Sequence, residues 1–170
     1  DSSFSAGVKK VATHEELMAE AEAMLDKSEL IIAQEFVPTE FDWRIGVLDG
    51  QALFVCRYYM APKHWQIVHH MASGRKEMGR FETMAVEAAP PEVVKLALRS
   101  TQPIGNGLYG VDIKEVNGRD YVMEVNDNPN IDAGVEDKVL KDGLYDRIMG
   151  AFLQRIEARK QPVLKEATSQ

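Results

Sequence analysis

Apolar residues recur along this chain at two different spacings, and the spacings divide it into elements. Leu17, Ala21, Met24 and Leu25 follow Thr13 at helical intervals. Thr13 with Glu16 three positions on matches the Ser/Thr-x-x-Glu start signal, so a helix is predicted from Thr13. Val8 to Val11 reads as a short strand before it, and Leu30-Ile31-Ile32-Ala33 as a buried strand leading into Gln34-Glu35-Phe36-Val37-Pro38. Trp43 to Leu48 and Ala52 to Tyr59 form a hairpin about Asp49-Gly50, a turn pair that tolerates positive φ. Trp65 to Met71 is a further strand, and the Gly-containing, charged stretch Ser73 to Arg80 a mobile loop. Pro90-Pro91 opens a helix over Glu92 to Ser100, and a last helix spans Gly143 to Arg159 before a polar tail. No internal repeat or interdomain linker stands out. Hairpins alternating with helices predict an α+β fold, an antiparallel sheet packed with helices.

The densest chemistry lies between Tyr109 and Asn130, in YGVDIKEVNGRDYVMEVNDNPN. Asn117-Gly118 is a two-residue hairpin turn, with Asp112 on the strand before it and Glu124 and Asn126 on the strand after it. Side chains alternate along a strand, so Glu124 and Asn126 share one face and Val125 takes the other. Asp112 is expected near that same face. Two carboxylates and an amide oxygen converging in this way suit magnesium, which accepts hard oxygen ligands while it holds nucleotide phosphates. A solvated hairpin with an acidic outer face gives a similar pattern. What favours a site is the turn Asn126-Asp127-Asn128-Pro129-Asn130 directly after the buried-looking run Tyr121-Val122-Met123, because functional groups sit where a rigid strand gives way to a loop.

Composition narrows the class. The 170 residues suffice for one ordinary core, and 45% hydrophobic with 28% charged residues is globular usage without a bilayer-length apolar run. A net charge of -7 argues against nucleic acid as the partner, since phosphate backbones select basic surfaces. The single cysteine, Cys56, has no internal disulfide partner, which fits a reducing, cytoplasmic setting, and without a bilayer-length apolar run no membrane partner is expected. Cys56 reads as a strand residue and Trp43 and Trp65 as core or subunit contacts. His64, His69 and His70 are candidates for phosphate or substrate contact. They are not expected to chelate a metal, because adjacent residues on a strand face opposite ways.

Several separate segments resemble one family. The order of closing loop, hinge, Asp-x-Arg, basic strand residue, then Asp and Glu-x-Asn on a hairpin is similar to the C-terminal part of an ATP-grasp enzyme of the RimK-like carboxylate–amine ligase group. The resemblance covers Asp1 to about Gly134, and the final helix also fits. It implies that Asp112, Glu124 and Asn126 hold two magnesium ions, for which manganese could substitute. It implies further that Glu35, Phe36 and Val37 border the adenine, and that Asp42 meets the ribose hydroxyls. Ser3, Ser5 and Gly7 would belong to a loop closing over the triphosphate. Arg44, in Asp42-Trp43-Arg44, and Arg57 would stabilise phosphoryl charge as catalytic residues. In the same terms residues 1-33 end the first ATP-grasp subdomain, 34-160 form the C-terminal subdomain and 161-170 a tail. Asn130 stands after Pro129 where many such ligases carry Gly, a departure on the substrate side.

The implied reaction is ADP-forming ligation through an acylphosphate, with ATP and Mg2+ as cofactors. The partners are a small-molecule or peptide carboxylate and an amine. The first residues, Asp1-Ser2-Ser3-Phe4, read like the middle of a loop. The chain is therefore expected to be a fragment, inactive alone, whose partner is the N-terminal half of the same protein; homo-oligomers are compatible with this. A phosphotransferase (kinase), a non-catalytic nucleotide-binding module and an interaction domain without ATP are the alternatives that products and binding would separate.

Overall fold

The computed structural model describes residues 7–71 and 73–160. In chain order the elements are α1 (His14–Leu25), β1 (Phe41–Leu48), β2 (Gln51–Tyr59), β3 (Val68–His70), β4 (Lys76–Met78), β5 (Phe81–Met84), α2 (Pro91–Thr101), β6 (Leu108–Val116), β7 (Arg119–Asn126) and α3 (Asp142–Lys160). The Ser3 and Ser5 positions and the tail lie outside the described residues. Contacts group the rest into two compact units, one of residues 7–40 and 59–80, the other of 41–58 and 81–160. No described helix is long and apolar enough to cross a membrane.

In the first unit, α1 starts as its sequence predicts. The Thr13 side chain accepts from the Glu16 N–H at 3.1 Å, and the Glu16 carboxylate accepts from the Ala12 N–H at 2.7 Å. That return bond reaches one residue beyond the usual capping box. The strands expected on either side do not form: 8–11 and 30–33 are irregular, with Leu30 78% and Ile32 86% exposed. An apolar run becomes a strand only when another strand pairs with it, and no described strand does. The expected strand Trp65 to Met71 shrinks to β3. It pairs antiparallel with β4, which lies inside the stretch read as a mobile loop.

The second unit is built on a five-stranded sheet of order β5-β2-β1-β6-β7, with β6 antiparallel to both neighbours. Both expected turns form, with Asp49 and Gly50 at φ 52° and 71°, and Asn117 and Gly118 at 53° and 73°. One sheet face carries Trp43, Ile45, Val47, Val55, Val111 and Ile113 against Val93 and Ala97 of α2. Pro91 at the first turn of α2 gives up an N–H that has no helical partner there anyway. β7 is the outer strand, so Tyr121 and Val122 are 47% and 36% exposed rather than buried.

The other face is covered partly by residues 132–137. The Thr83 hydroxyl donates to the Val135 carbonyl at 2.7 Å and lies 3.4 Å from Cys56 Sγ. The Phe54 ring fills the space over Gly46, where an added Cβ would stand 2.2 Å from a ring carbon. Phe54 is 1% exposed and has nowhere to move. Gly46→Ala is therefore expected to destabilise the complete protein by ~1–3 kcal/mol through overpacking, read as a lower urea midpoint. An unchanged midpoint would refute this packing.

Cys56 is fully buried, and burial pushes its thiol up to about 11 from an ordinary 9.0, against the smaller opposing pull of the Thr83 hydroxyl. The folded chain thus keeps this proton while the unfolded chain loses it. The contribution to stability is intact below about 9 and is lost as pH rises toward about 11. At pH 8 the native thiol should be inert to a disulfide reagent, and one equivalent should react in urea. Fast native reaction at pH 8 would contradict the burial.

Candidate functional site

The register of the sheet assembles the site on the face away from α2. Arg44 on β1, Asp112 on β6 and Glu124 on β7 are successive cross-strand partners in one row. Gly46, Gly110 and Asn126 form the next row. Partners directly opposite one another project to the same side of a sheet, so Arg44, Asp112, Glu124 and Asn126 emerge together.

This convergence depends on a β-bulge. The Asn117-Gly118 turn pairs Val116 with Arg119 and, continuing regularly, Ile113 with Val122. A regular ladder would next set Asp112 against Met123 and turn Glu124 toward the α2 face. Instead the register shifts between Asp112 and Ile113, Met123 is the extra residue, and Asp112 pairs with Glu124. One inserted residue restores the parity that puts both carboxylates on one side.

Arg44 grips Asp112 with both ends of its fork: Nε donates to Oδ1 and a terminal nitrogen to Oδ2, each at 2.7 Å. The two side chains are 21% and 22% exposed, open enough to meet a ligand. Burial disfavours the Arg44 charge, but the Asp112 bonds and negative charge outweigh it, and the guanidinium pKa rises. Asn126 Nδ2 donates to Asp112 Oδ2 at 3.5 Å, which directs the amide oxygen away from that carboxylate. Glu124 is exposed and has no hydrogen-bond or ion-pair partner among the described residues. Among the described residues no cluster of three or more His, Cys, Asp and Glu side chains stands ready for a metal. Two carboxylates and one amide oxygen are nonetheless the donor chemistry magnesium accepts.

The remaining expected residues divide. Asp42 lies on the same face and pairs with Lys114 at 2.6 Å. Arg57 lies on the opposite face, its guanidinium 4.5 Å from the Trp43 ring and 5.0 Å from that of Phe41, with Glu82 at 3.6 Å. Its Nε is buried without a hydrogen-bond acceptor among the described residues. Arg57 is therefore not brought together with Arg44. Glu35, Phe36, Val37 and Gly7 belong to the first unit, where the Phe36 ring meets Trp65 edge-on at 5.7 Å and Lys10 Nζ stands 3.6 Å over it. Gly7 is exposed at φ 89°. His64 and His69 stack at 4.0 Å in that unit, beside a cleft of about 420 Å³ lined by residues 7–9, His64, Gln66, His69 and His70.

Sequence reasoning passed over Tyr58 and Glu136. Tyr58, one residue from Arg57, faces the site, and the Arg44 guanidinium lies 5.6 Å over its ring. Its hydroxyl donates a short hydrogen bond to Glu136 Oε1, and Glu136 Oε2 accepts from the Asp132 N–H at 2.7 Å. Glu136 is 1% exposed, a carboxylate wholly inside the protein. Burial, then the Glu136 bond and charge, raise the Tyr58 pKa and keep the phenol protonated. The sequence signal was alternation, by which Tyr58 and not Arg57 shares a face with Phe54 and Cys56.

No protein-family model matches the chain. Two curated proteins of Shewanella, called probable alpha-L-glutamate ligase 2 (Shewanella sp. strain W3-18-1) and probable alpha-L-glutamate ligase 1 (Shewanella putrefaciens strain CN-32), are each 24% identical over 166 residues. The match takes in 96% of this chain and 50% of each relative, so the chain spans about half their length. Among solved structures, D-alanine–D-alanine ligase from Bacillus anthracis superposes with a TM-score of 0.63 at 17% identity, over 89% of this chain and 52% of that one. The same enzyme complexed with ATP gives 0.62 at 18% identity, over 91% and 51%. The mixed fold and these superpositions show that the chain shares the fold of about half of the D-alanine–D-alanine ligase chain.

Proposed function

We propose that the complete protein is an ATP-dependent carboxylate–amine ligase, with this chain supplying the metal- and phosphate-facing part of its site. The observation that carries this reading is the placement of Asp112, Glu124 and Asn126 on one sheet face beside Arg44. The names of the glutamate-ligase relatives and of the D-alanine ligase point to the same class of reaction.

In this reading Asp112, Glu124 and Asn126 hold magnesium, with two ions the expected number and manganese an acceptable substitute. The metal, when bound, draws charge from the nucleotide phosphates. Arg44 presents a planar, permanently charged fork to oxygens that gain charge as phosphate leaves the nucleotide for the substrate carboxylate. An amine then displaces phosphate from the acylphosphate, giving an amide, ADP and inorganic phosphate. Asp42, on the same face, is the candidate for the ribose hydroxyls. Glu35, Phe36 and Val37 are the candidates for the adenine border, and Ser3, Ser5 and Gly7 for phosphate cover. Arg57 is the least supported of the expected charge-stabilising residues, because it packs on Trp43.

Asp112 has two claims on it. Both its oxygens already accept from Arg44, and oxygens given to a cation are shared with or withdrawn from that pair. Glu124 carries no such competing bond and is the cleanest test. Glu124→Gln should leave the urea midpoint of the complete protein unchanged, since the side chain is exposed, and cut magnesium-dependent ADP release below roughly a hundredth of wild type. Assayed against a crossed panel of carboxylates and amines, wild type should release ADP only when both are present. Wild-type-like turnover in Glu124→Gln overturns the metal assignment, and ADP release with a hydroxyl acceptor alone makes the protein a kinase.

A further inference from the structure

Glu136 is fully buried and charged groups are seldom buried without a partner, so its presence beside the site calls for a cause. Its two oxygens bind in two directions. One accepts from Tyr58 on β2, and the other from the Asp132 backbone at the start of the segment that follows the Asn-Asp-Asn-Pro turn. Glu136 thus fixes the ring of Tyr58 and the path of residues 132–137 with one side chain. Tyr58 in turn lies under Arg44. The negative charge of Glu136 also adds to the forces that favour the Arg44 cation. Arg44 is therefore held both by Asp112 and by the Tyr58 ring, which is itself fixed by Glu136.

We infer that Tyr58 and Glu136 are positioning residues that keep the Arg44 guanidinium oriented over the site when Asp112 is drawn toward another ligand. The inference rests on the ligase reading for what Arg44 acts upon, but not for where Arg44 is held. Without the ring and the buried carboxylate, an Arg44 released by Asp112 would be a long, flexible cation free to leave into water. With them, a favourable cation–π contact and a nearby negative charge remain. The hydroxyl bond matters because it stops the ring from sliding away from beneath the guanidinium.

Three variants of the complete protein separate positioning from simple support. Tyr58→Phe keeps the ring and removes the bond, and Glu136→Gln keeps the shape and removes the charge. Thr83→Val breaks a different bond to the same segment, at Val135, together with the Cys56 Sγ contact, and removes no hydrogen bond of Tyr58 or Glu136. The first readout is the Nε–H signal of Arg44 by NMR, with and without magnesium and ATP. It should shift or broaden in Tyr58→Phe and Glu136→Gln and stay as in wild type in Thr83→Val. The second is turnover: kcat for ADP release should fall on the order of tenfold to a hundredfold in the first two variants, with KM for ATP within about twofold of wild type. An Arg44 signal unchanged in both site variants overturns the inference. So does a Thr83→Val protein that reproduces their losses, because the effect is then general support of the segment. If wild type itself releases no ADP with any substrate pair, the ligase reading fails, and the Arg44 signal still decides the positioning role.

Discussion

One extra residue on β7 governs the chemistry of the second unit. Strand side chains obey a period of two, so each residue's face is decided by parity counted from the turn. Counted from Asn117-Gly118 without interruption, Asp112 and Glu124 fall on opposite faces. The bulge at Met123 changes the count by one for everything beyond it. Val125 then packs toward the core, while Glu124 and Asn126 reach the face that carries Arg44. A bulge costs a ladder hydrogen bond, and in exchange it joins a hairpin whose turn prefers one register to a site that needs the other.

The same parity divides β1 and β2. Trp43, Ile45 and Val47 enter the core, and Asp42, Arg44 and Gly46 alternate with them on the site face. On β2, Val55 joins the core and Phe54, Cys56 and Tyr58 take the other side. Arg57 falls with Val55, which is why a positive charge expected at the phosphates is found stacked on Trp43 instead. Electrostatics on the site face is then a balance among few groups. Arg44 faces Asp112 directly and Glu136 through Tyr58, and Lys114 answers Asp42. On this face the half-buried Arg44 and Asp42 each have an opposite charge within hydrogen-bond distance, which offsets the cost of a low local dielectric.

What was legible in the sequence was what local chemistry decides. Both Asn/Asp-Gly turns, the Thr13 cap and the proline-led α2 depend on residues within a few positions of one another, and all formed. The hairpin and strand alternation led to the expectation that Asp112 lies near the face of Glu124, yet an uninterrupted count from the turn separates them, and the bulge that joins them leaves no local mark because Met123 is an ordinary strand residue. Tyr58 and Glu136 were invisible for a different reason. They are 78 positions apart, and only the return of the chain after β7 brings them together. The apolar run Leu30 to Ala33 reads as a strand because its residues prefer one, yet a strand also needs a neighbour to satisfy its backbone. The short β3–β4 ladder went unread because charged and Gly-rich residues mask pairing.

The glycines beside the site follow from the same register. Gly46 and Gly110 are cross-strand partners, one row from Arg44 and Asp112. Neither has room for a side chain: a Cβ at Gly46 meets the Phe54 ring, and a Cβ at Gly110 would stand 2.8 Å from that of Pro129. The absent side chains make room for the Phe54 ring at Gly46 and for Pro129 of the Asn-Asp-Asn-Pro turn at Gly110. Pro129 on Gly110 brings the chain back across the face, and the residues beyond it deliver Glu136 to Tyr58. The floor of two glycines, the bulge that turns Glu124 and the buried carboxylate behind Arg44 are thus linked in one geometry. A side chain at Gly110 would lift the turn and disturb the path to Glu136, so these two small residues constrain the site without touching a ligand.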